Sequence, residues 1–242
     1  MLFFLLFSFS LQAQEASLTI STGFNTLESQ LLKEIVQKGC KRAGFKLNFQ
    51  ILPNQRSLIN ANTGVNDGEA ARISTISKIY PNLIKVDVPI HTIDIVVISK
   101  KNIKIKKMSD LKNYHLGIIR GVKITEQIAK KIANKPVFEA TNYKSLIKML
   151  VLDRVEIIIV NKLGAFTDLK KFKNTTFYLR KKPLVSPKLY THLNIKNKSL
   201  IPKLEKAYKS MLKDGTLKKI HKKFNQEVYK ELLKSIKVVP YD

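Results

Sequence analysis

The sequence predicts an α/β fold with two lobes that two crossing strands join. Segments with a strand pattern alternate with segments of helical pattern along the 242 residues, which implies parallel sheets with right-handed crossovers. The alternation occurs in two separate sets, and the chain then ends in helices that have no strands of their own. Because those helices need a sheet to cover, we expect the chain to return to the first lobe, which is therefore discontinuous.

The first set begins with an alternating strand over 17–21 and a helix that Thr26 caps and Gly44 ends. An extended stretch over 85–99, rich in Val and Ile, is expected to hold two strands separated near His91. The other elements predicted for this set are a strand over 45–52, a short helix over 55–62 and a short strand over 69–73.

The second set starts near Lys100 and follows the same alternation. Its most distinctive element is the strand over 156–160, Glu-Ile-Ile-Ile-Val, whose continuous apolar run is typical of a buried strand. The other predicted elements are strands over 115–120, 137–140, 177–179 and 188–195, helices over 125–133, 143–152 and 163–172, and closing helices over 200–212 and 216–224.

These elements assign residues 17–97 and 193–242 to the first lobe and residues 98–192 to the second. Two crossings then join the lobes, near 93–99 and near 189–195. A cleft between two α/β lobes places ligands at the carboxyl ends of strands. We expect ligand binding to favour a closed form that is reached by hinge motion.

The first 13 residues predict a secretory signal peptide. Their apolar run is too short to span a bilayer comfortably, and it ends in small and polar residues. Ala13 suits the residue before a cleavage point, although no Lys or Arg precedes the run. The alternative is a buried N-terminal strand or helix, since short apolar runs are ambiguous. A signal peptide would direct the mature chain across the inner membrane into the periplasm.

The formal net charge of +26 is the most unusual bulk property of the sequence. Nucleic acids, anionic membrane surfaces and acidic ligands all attract such a charge. The basic residues, however, are scattered in pairs and triplets such as Lys100-Lys101, whereas a dedicated patch should cluster. We therefore interpret them as solvated side chains and expect no nucleic-acid partner. Cys40 is the single cysteine, which excludes a disulfide within this sequence, and we expect it to be a small packed residue.

Three segments carry a resemblance to a known family. The clearest is 204–220, a helix that ends in Asp-Gly-Thr and is followed by a second helix with an early Ile. The second is 108–112 followed by 116–121, and the third is 146–150 with 154–159. In this order, behind a signal-like segment, they resemble the bacterial extracellular solute-binding proteins of family 3, the type II periplasmic binding proteins typified by polar amino-acid receptors.

The resemblance implies the two-lobed type II fold and a periplasmic protein that captures a small polar solute, either anionic or amino-acid-like. It implies a monomer without a cofactor. The partner would be an inner-membrane permease of an ABC transporter or a membrane receptor, and the resemblance leaves both transport and sensing open. We therefore expect a binding protein and not an enzyme.

The sequence departs from the family at the residues that hold the ligand. In the amino-acid receptors, a threonine and an arginine after the third strand usually hold the ligand carboxylate. Here the corresponding position is Lys78, and Arg72 lies earlier. The family also often has an Asp after the second-lobe strand, where this chain has Asn161. The ligand contacts are therefore expected to differ from those of the standard receptors.

Arg72 is the first candidate for ligand binding, because a guanidinium holds a carboxylate or phosphate by two parallel hydrogen bonds. It follows a short strand, where the cleft should be, and the open alternative is an ion pair with Glu69. Arg120, Val122 and Lys123 come second. They join a strand to a helix, where free N–H groups and the helix dipole favour an anion. Ordinary helix capping is the alternative there.

The remaining candidates lie after other strands or near the expected mouth of the cleft. Phe24 and Asn25 follow the first strand, where an aromatic ring would pack on ligand carbon and an amide would give polar specificity. Asn161 would contact a ligand amine or amide. Hinge, core and turn roles are the alternatives for these residues. Further candidates are Lys78, Arg56 and Tyr143.

The sequence contains no phosphate-loop motif, nucleophile elbow or dinucleotide fingerprint. Its four histidines show no metal-ligand spacing with another His or Cys. Two other functions stay open at this point. One is an enzyme on the same fold, such as a dehydratase with Glu69 as a general base. The other is a nucleic-acid or membrane-surface binder driven by charge.

Overall fold

The computed structural model describes residues 16–23, 25–103 and 105–241. The predicted signal peptide and the candidate Phe24 lie outside the described residues. Within that part of the chain the strands form two six-stranded sheets, and each sheet is the centre of one lobe. The two-lobed α/β fold predicted from the sequence is confirmed.

Strands alternate with helices through most of the chain, as the sequence pattern predicted. The strands are β1 (Ser17–Gly23), β2 (Lys46–Leu52), β3 (Gly68–Ile73), β4 (Leu83–Lys85), β5 (His91–Thr92), β6 (Ile95–Ser99), β7 (Leu116–Ile119), β8 (Phe138–Ala140), β9 (Ile157–Asn161), β10 (Phe177–Arg180), β11 (Lys188–Asn194) and β12 (Val238–Tyr241). The helices are α1 (Leu27–Ala43), α2 (Asn54–Thr63), α3 (Lys123–Ile132), α4 (Tyr143–Val151), α5 (Lys162–Leu169), α6 (Ile201–Lys213), α7 (Thr216–Phe224) and α8 (Lys230–Lys234). Single 3₁₀ segments occur at Ser74–Lys78, Met108–Asn113 and Ile195–Leu200, and a π-helix at Asn225–Tyr229.

The first lobe is built on a sheet of strand order β2-β1-β3-β11-β4, in which β5 also pairs with β11. β1 is parallel to β2 and β3, whereas β11 returns antiparallel to β3. Helices α1, α6 and α7 pack on one another, so the closing helices return to the first lobe as predicted.

The N-terminus of α1 shows how local sequence signals position a functional residue. The Thr26 hydroxyl accepts a hydrogen bond from the Ser29 N–H at 3.3 Å, and the Ser29 hydroxyl oxygen accepts one from the Thr26 N–H at 3.0 Å. Gly44 ends the helix with a left-handed φ of +80°. These caps fix the first turn of α1 just after β1, and that turn carries Glu28.

The second lobe is built on a sheet of strand order β12-β10-β6-β9-β7-β8. All five residues of β9 are buried, which agrees with the apolar run that predicted a buried strand. Helix α3 begins shortly after β7, and α5 begins directly after β9. The carboxyl ends of these strands and the N-termini of these helices therefore lie at the same edge of the lobe.

Three segments cross between the lobes, one more than the sequence predicted. Two of them join β5 to β6 and β10 to β11. The third is the C-terminal tail. The sequence assignment placed all of 193–242 with the first lobe, but β12 pairs in parallel with β10 at the edge of the second sheet. Leu232 lies in the core of the second lobe, and Tyr229, Ile236 and Val238 pack against that core. Burial of these apolar side chains is the physical reason for the difference.

Cys40 lies on the inward face of α1 and is fully buried. Burial raises the pKa of its thiol to about 12, so the thiol stays protonated at neutral pH. A thiol without a thiolate fraction is a poor nucleophile. The structure therefore agrees with the prediction that Cys40 is a small packed residue.

His192 is a fully buried histidine in β11. Its Nδ1 lies 3.0 Å from the Tyr190 carbonyl oxygen, and its Nε2 has no hydrogen-bond partner among the described residues. Burial, helped by the charges of Arg72 and Lys85, lowers its pKa from 6.5 to about 4. The unfolded chain therefore binds a proton here at higher pH than the folded chain does. The free energy of unfolding should therefore fall as the pH drops from about 6.5 to about 4.

We expect His192→Gln to flatten this acid dependence of stability. Each pKa unit corresponds to about 1.4 kcal/mol, so wild type should lose up to about 3 kcal/mol more than the variant between about pH 7 and pH 4. Urea unfolding at both pH values measures the difference. His115→Gln, which changes a half-exposed histidine, is the control. Equal losses in wild type and His192→Gln would contradict the prediction.

Candidate functional site

The two lobes meet around a cavity of about 80 Å³, which we call the cleft. Ligand pockets usually enclose about 300–1,000 Å³, so the structure shows the lobes closed on each other. The lining groups come from strand ends and helix starts in both lobes. The first lobe contributes Thr22, Thr26, Glu28, Asn54 and Arg72, and the second contributes Gly121, Val122, Lys123, Tyr143 and Asn161.

Arg72 lies at the cleft and is held from below by Glu69. Its Nε and Nη2 donate hydrogen bonds to the two carboxylate oxygens of Glu69 at 3.0 and 3.1 Å. The Glu69 side chain is 0% exposed and that of Arg72 is 12% exposed. Burial raises the pKa of Glu69, and the charge of Arg72 opposes that rise. The ion pair left open by the sequence is therefore present, and it aims the guanidinium at the cleft.

Asn54 supplies a second polar group beside Arg72. Its Oδ1 accepts a hydrogen bond from Arg72 Nη1 at 2.6 Å. Its Nδ2 is buried and has no partner among the described residues. A buried amide N–H without an acceptor is unfavourable, so this donor is suited to an acceptor that a ligand brings.

Gly121 lets the second lobe approach Asn54 closely. A Cβ at this position would lie 2.8 Å from the backbone nitrogen of Gln55 and 3.1 Å from Asn54 Nδ2. Its φ of +83° is also left-handed, which favours glycine. Both the close approach of the two lobes and the local turn therefore require glycine at position 121.

The N-terminus of α3 carries its own carboxylate. Glu126 Oε1 accepts a hydrogen bond from the Gly121 N–H at 2.5 Å, and Glu126 Oε2 lies 2.7 Å from Lys123 Nζ. A first-turn carboxylate is stabilised by the helix dipole in the way that a bound anion would be. The anion position predicted at this helix start is thus filled by the chain itself, although Val122 and Lys123 still line the cleft.

Glu28 links the two lobes directly. Its Oε2 accepts a hydrogen bond from Asn161 Nδ2 of the second lobe at 2.6 Å. Its Oε1 lies 3.2 Å from Nε2 of His91, in the first crossing segment. Asn161 in turn caps α5, since its Oδ1 accepts the Leu163 N–H at 3.1 Å. A carboxylate, an amide and an imidazole therefore meet at one end of the cleft.

Tyr143 lies at the base of the cleft and is buried. Burial raises the pKa of its hydroxyl, and the charges of Glu28 and Asp168 raise it further, so the group stays protonated. Gly164 gives the ring its space, because a Cβ there would lie 2.4 Å from the tyrosine oxygen. Tyr143 therefore lines the cleft as a neutral hydroxyl.

Four of the residues predicted from the sequence do not line the cleft. Arg120 pairs with Glu139 at 3.0 Å, and its side chain is 60% exposed. Asn25 and Arg56 are exposed, and so is Lys78 at the end of its 3₁₀ segment. The structure thus brings Arg72, Val122, Lys123, Tyr143 and Asn161 together and leaves these four on the surface.

Gly121 belongs to the strand-to-helix segment that the sequence marked as a candidate, whereas Asn54 and Glu28 were not predicted. Asn54 follows β2 within two residues, so the rule that ligands bind at strand carboxyl ends could have found it. Glu28 gave no distinct signal, because an acidic residue in the first turn of a helix is ordinary dipole stabilisation. Its role becomes visible only when the second lobe is in place.

A larger cavity of about 640 Å³ lies beside the cleft, and we call it the hinge cavity. Its walls are the crossing segment around His91, part of α7 with His221, and the segment that leads to the third crossing. Glu28 and Asn161 line both cavities. Together with Ile93, this carboxylate and this amide therefore lie where the two cavities adjoin.

In the part of the chain that the structure describes, no group of three or more His, Cys, Asp or Glu side chains could hold a metal ion. None of the helices in the same residues combines the length and apolar character that a bilayer crossing requires.

No family model and no curated protein matches the sequence. Solved structures do match. An ancestral arginine-binding protein bound to arginine has 20% identity and a TM-score of 0.71, covering 86% of this chain and 97% of its own. The substrate-binding protein of an amino acid ABC transporter has 17% identity and a TM-score of 0.68, covering 88% and 100%. A periplasmic binding protein of an arginine transport system from Legionella pneumophila has 17% identity and a TM-score of 0.68, covering 86% and 99%. This chain therefore has the two-lobed fold of the type II periplasmic binding proteins.

We expect Arg72→Ala to lower the free energy of unfolding by about 3–5 kcal/mol at neutral pH, because it leaves Glu69 buried without its partner. The double variant Arg72→Met with Glu69→Gln should recover most of the loss. Urea unfolding measures both effects. The matched control is Arg120→Ala, which breaks an exposed ion pair and should cost less than about 1 kcal/mol. A loss in Arg72→Ala no larger than in this control would contradict the importance of the buried pair.

Proposed function

We propose that this chain is a solute-binding protein whose lobes close around a small zwitterionic solute of the amino-acid class. The observation that carries the proposal is the distribution of polar groups in the cleft. The cleft is lined by hydrogen-bond donors without acceptors, which we call the donor side, and by a carboxylate, which we call the acceptor side.

The donor side is formed by Arg72 and Asn54. A guanidinium has five N–H groups, and Arg72 uses three of them on Glu69 and Asn54. The other two are free to donate to a ligand, and the buried Nδ2 of Asn54 is a further donor without a partner among the described residues. A carboxylate is the ligand group that matches such a convergent set.

The acceptor side is formed by Glu28, with Asn161 and the hydroxyl of Tyr143 nearby. An ammonium group of a ligand fits here, since each carboxylate oxygen of Glu28 has a second lone pair that can accept a hydrogen bond. The charged groups around the cleft are paired with one another: Arg72 with Glu69, Lys123 with Glu126, and Glu28 with His91 when that ring is protonated. This pairing leaves no uncompensated positive charge for a purely anionic solute, which favours a zwitterion.

Binding requires the lobes to open, because the closed cleft is too small to admit a solute. Three covalent crossings, with Glu28–Asn161 as a contact between the lobes, suit hinge motion between an open and a closed form. The solved structures reported above carry amino-acid-binding and transport names, which supports the same use of the cleft.

In the cell, such a protein would act in the periplasm as a monomer and pass its solute to an inner-membrane permease or present it to a membrane sensor. The predicted signal peptide and the name of the Legionella structure support this location. An enzyme on the same fold would need a base that reaches the solute. Glu69, the candidate base from the sequence, has both oxygens engaged by Arg72 below the cleft, which favours binding over catalysis.

The test is a thermal-shift screen of the purified chain against neutral, basic and acidic L-amino acids, dicarboxylates and polyamines. We expect amino acids to raise the melting temperature, because a ligand at about one hundred times its Kd adds roughly 2.7 kcal/mol of stability. Dicarboxylates and polyamines lack one of the two charges and should give no shift. Shifts from those classes alone, or from none of the compounds, would refute the proposal.

The role of Arg72 is tested with the best amino acid from that screen. Arg72→Lys keeps the charge but loses the planar fork, so calorimetry should show a weaker affinity by about tenfold or more. Arg120→Lys makes the same change outside the cleft and should leave the affinity as it is. An unchanged affinity in Arg72→Lys would remove Arg72 from the binding site.

A further inference from the structure

A continuous chain of polar contacts runs from the hinge cavity to the cleft. It begins at the Leu217 carbonyl oxygen, 2.9 Å from Nδ1 of His221. Nε2 of His221 lies 3.1 Å from Nδ1 of His91, and Nε2 of His91 lies 3.2 Å from Oε1 of Glu28. The chain ends where Asn161 Nδ2 donates to Glu28 Oε2 at 2.6 Å. It thus connects α7, a crossing segment, α1 and the second lobe.

The two imidazoles meet edge to edge. Their planes differ by 10° and their centroids are 5.3 Å apart, while the nearest nitrogens are only 3.1 Å apart. Nearly coplanar rings with this separation share an N–H···N hydrogen bond. The contact is therefore directional and needs one proton between the two nitrogens.

The three contacts made by the two imidazole rings need one proton each. The Leu217 carbonyl only accepts, so Nδ1 of His221 carries a proton. One further proton is needed between the two rings, and another between His91 and the Glu28 carboxylate. Two neutral imidazoles hold only two protons, which leaves one of the three contacts without a hydrogen. With Glu28 ionised, all contacts are satisfied only when the two rings together hold three protons.

The contacts favour His91 as the place of the third proton, because this ring lies 3.2 Å from the Glu28 carboxylate, whereas His221 meets the neutral Leu217 carbonyl. Burial lowers the pKa of His221, and the neighbouring His91 lowers it further, which agrees with this placement. His91 is then an imidazolium that donates to His221 from Nδ1 and to Glu28 from Nε2. Hydrogen bonds between two charged groups are stronger than neutral ones, so Glu28 is held most firmly in this state.

Other charged groups face the same hinge cavity from the neighbouring elements. They are Asp94, which accepts a hydrogen bond from the Ser186 hydroxyl at 2.8 Å, Lys162 and Lys188. Lys162 lies 5.8 Å from the centre of the Tyr229 ring. Among the described residues, the direct partners of His91 are Glu28 and His221.

We propose that His91 and His221 are positioning residues for the cleft, which hold Glu28 against Asn161 when the two rings share three protons. Loss of the third proton breaks one link of the chain and frees Glu28 from its fixed orientation. The closed form therefore weakens as the pH rises through the range of about 5 to 8 in which histidine changes its charge. The part of this inference that concerns solute affinity rests on the proposed function, whereas the part that concerns closure does not.

The first measurement counts the ring protons directly in the wild-type chain without any solute. Long-range ¹H–¹⁵N NMR spectra of the histidine rings distinguish imidazolium from each neutral form. At about pH 5.5 we expect His91 to be doubly protonated and His221 to carry only its Nδ1 proton, and at about pH 8.5 we expect both rings to be neutral. Two neutral rings at both pH values would overturn the proposal.

The second measurement follows closure, again without solute. Spin labels at Lys206→Cys in α6 and Lys144→Cys in α4, both exposed, report the distance between the lobes, while Cys40 is too buried to be labelled. We expect the ratio of closed to open molecules to fall about tenfold from pH 5.5 to 8.5, as for the loss of one charge-assisted hydrogen bond. A ratio that does not change with pH would overturn the proposal even if the NMR result agreed.

His91→Gln and His115→Gln form a matched pair of variants. Glutamine keeps a donor for Glu28 but does not titrate, so His91→Gln should remove the pH dependence of closure. His115 also lies 3.2 Å from a carboxylate, Glu156, but on the surface of the second lobe, so His115→Gln should keep the wild-type dependence. Persistence of the dependence in His91→Gln, or its loss in His115→Gln, would contradict the assignment to His91.

The affinity for L-arginine, taken as an amino-acid probe, separates this inference from the proposed function. If both hold, the affinity should decrease with rising pH in wild type and stay level in His91→Gln. Absence of arginine binding at every pH, together with pH-dependent closure, would count against the proposed ligand class and leave the positioning role in place. Binding that is independent of pH in wild type would overturn the positioning role.

Discussion

The ion pair between Glu69 and Arg72 is the interaction on which the cleft depends. A fully buried carboxylate is tolerated only with a partner that meets both its charge and its hydrogen bonds. Glu69 meets this need through the fork of Arg72, which fixes the guanidinium where β3 ends. Asn54 is then held by the same guanidinium, and its own amide donor faces the cleft. The buried charge of Glu69 thus fixes the positions of Arg72 and Asn54.

The two lobes contribute unequally to the site. The first lobe provides Arg72 and Glu28, whereas the second lobe provides the Gly121 turn, Lys123 at a helix start and the Asn161 amide. Contact between them is made by Glu28 with Asn161 and by the close approach of Gly121 to Gln55. Leu27 at the start of α1 also packs against the core of the second lobe. A bound solute shifts the balance towards the closed form when it contacts both lobes in that form.

Much of the fold could be predicted from the sequence because its signals are local. Thr26 and Gly44 mark the ends of α1, and the apolar run of β9 marks a buried strand whatever the rest of the chain does. The strand β12 could not be found in this way, since it contains Pro240 and becomes a strand only by pairing with the edge strand β10. Within the site, Arg72 and Asn161 could be predicted because both lie at strand ends, where ligands bind in this type of fold. Glu28 could not be predicted, because its role depends on a contact with Asn161, which lies 133 positions away in the sequence.

The return of the C-terminal tail to the second lobe changes the mechanics of the molecule. Two connecting strands alone behave as a simple pivot, but a third connection through Asn225–Tyr229 and α8 acts as a strap across that pivot. A strap of fixed contour length limits the angle through which the halves can swing apart. Residues 16 and 241, near the two ends of the described chain, consequently sit on opposite halves. A pair of fluorophores attached at those positions would convert each closure into a change in energy transfer, so the native chain already has the layout of a conformational biosensor.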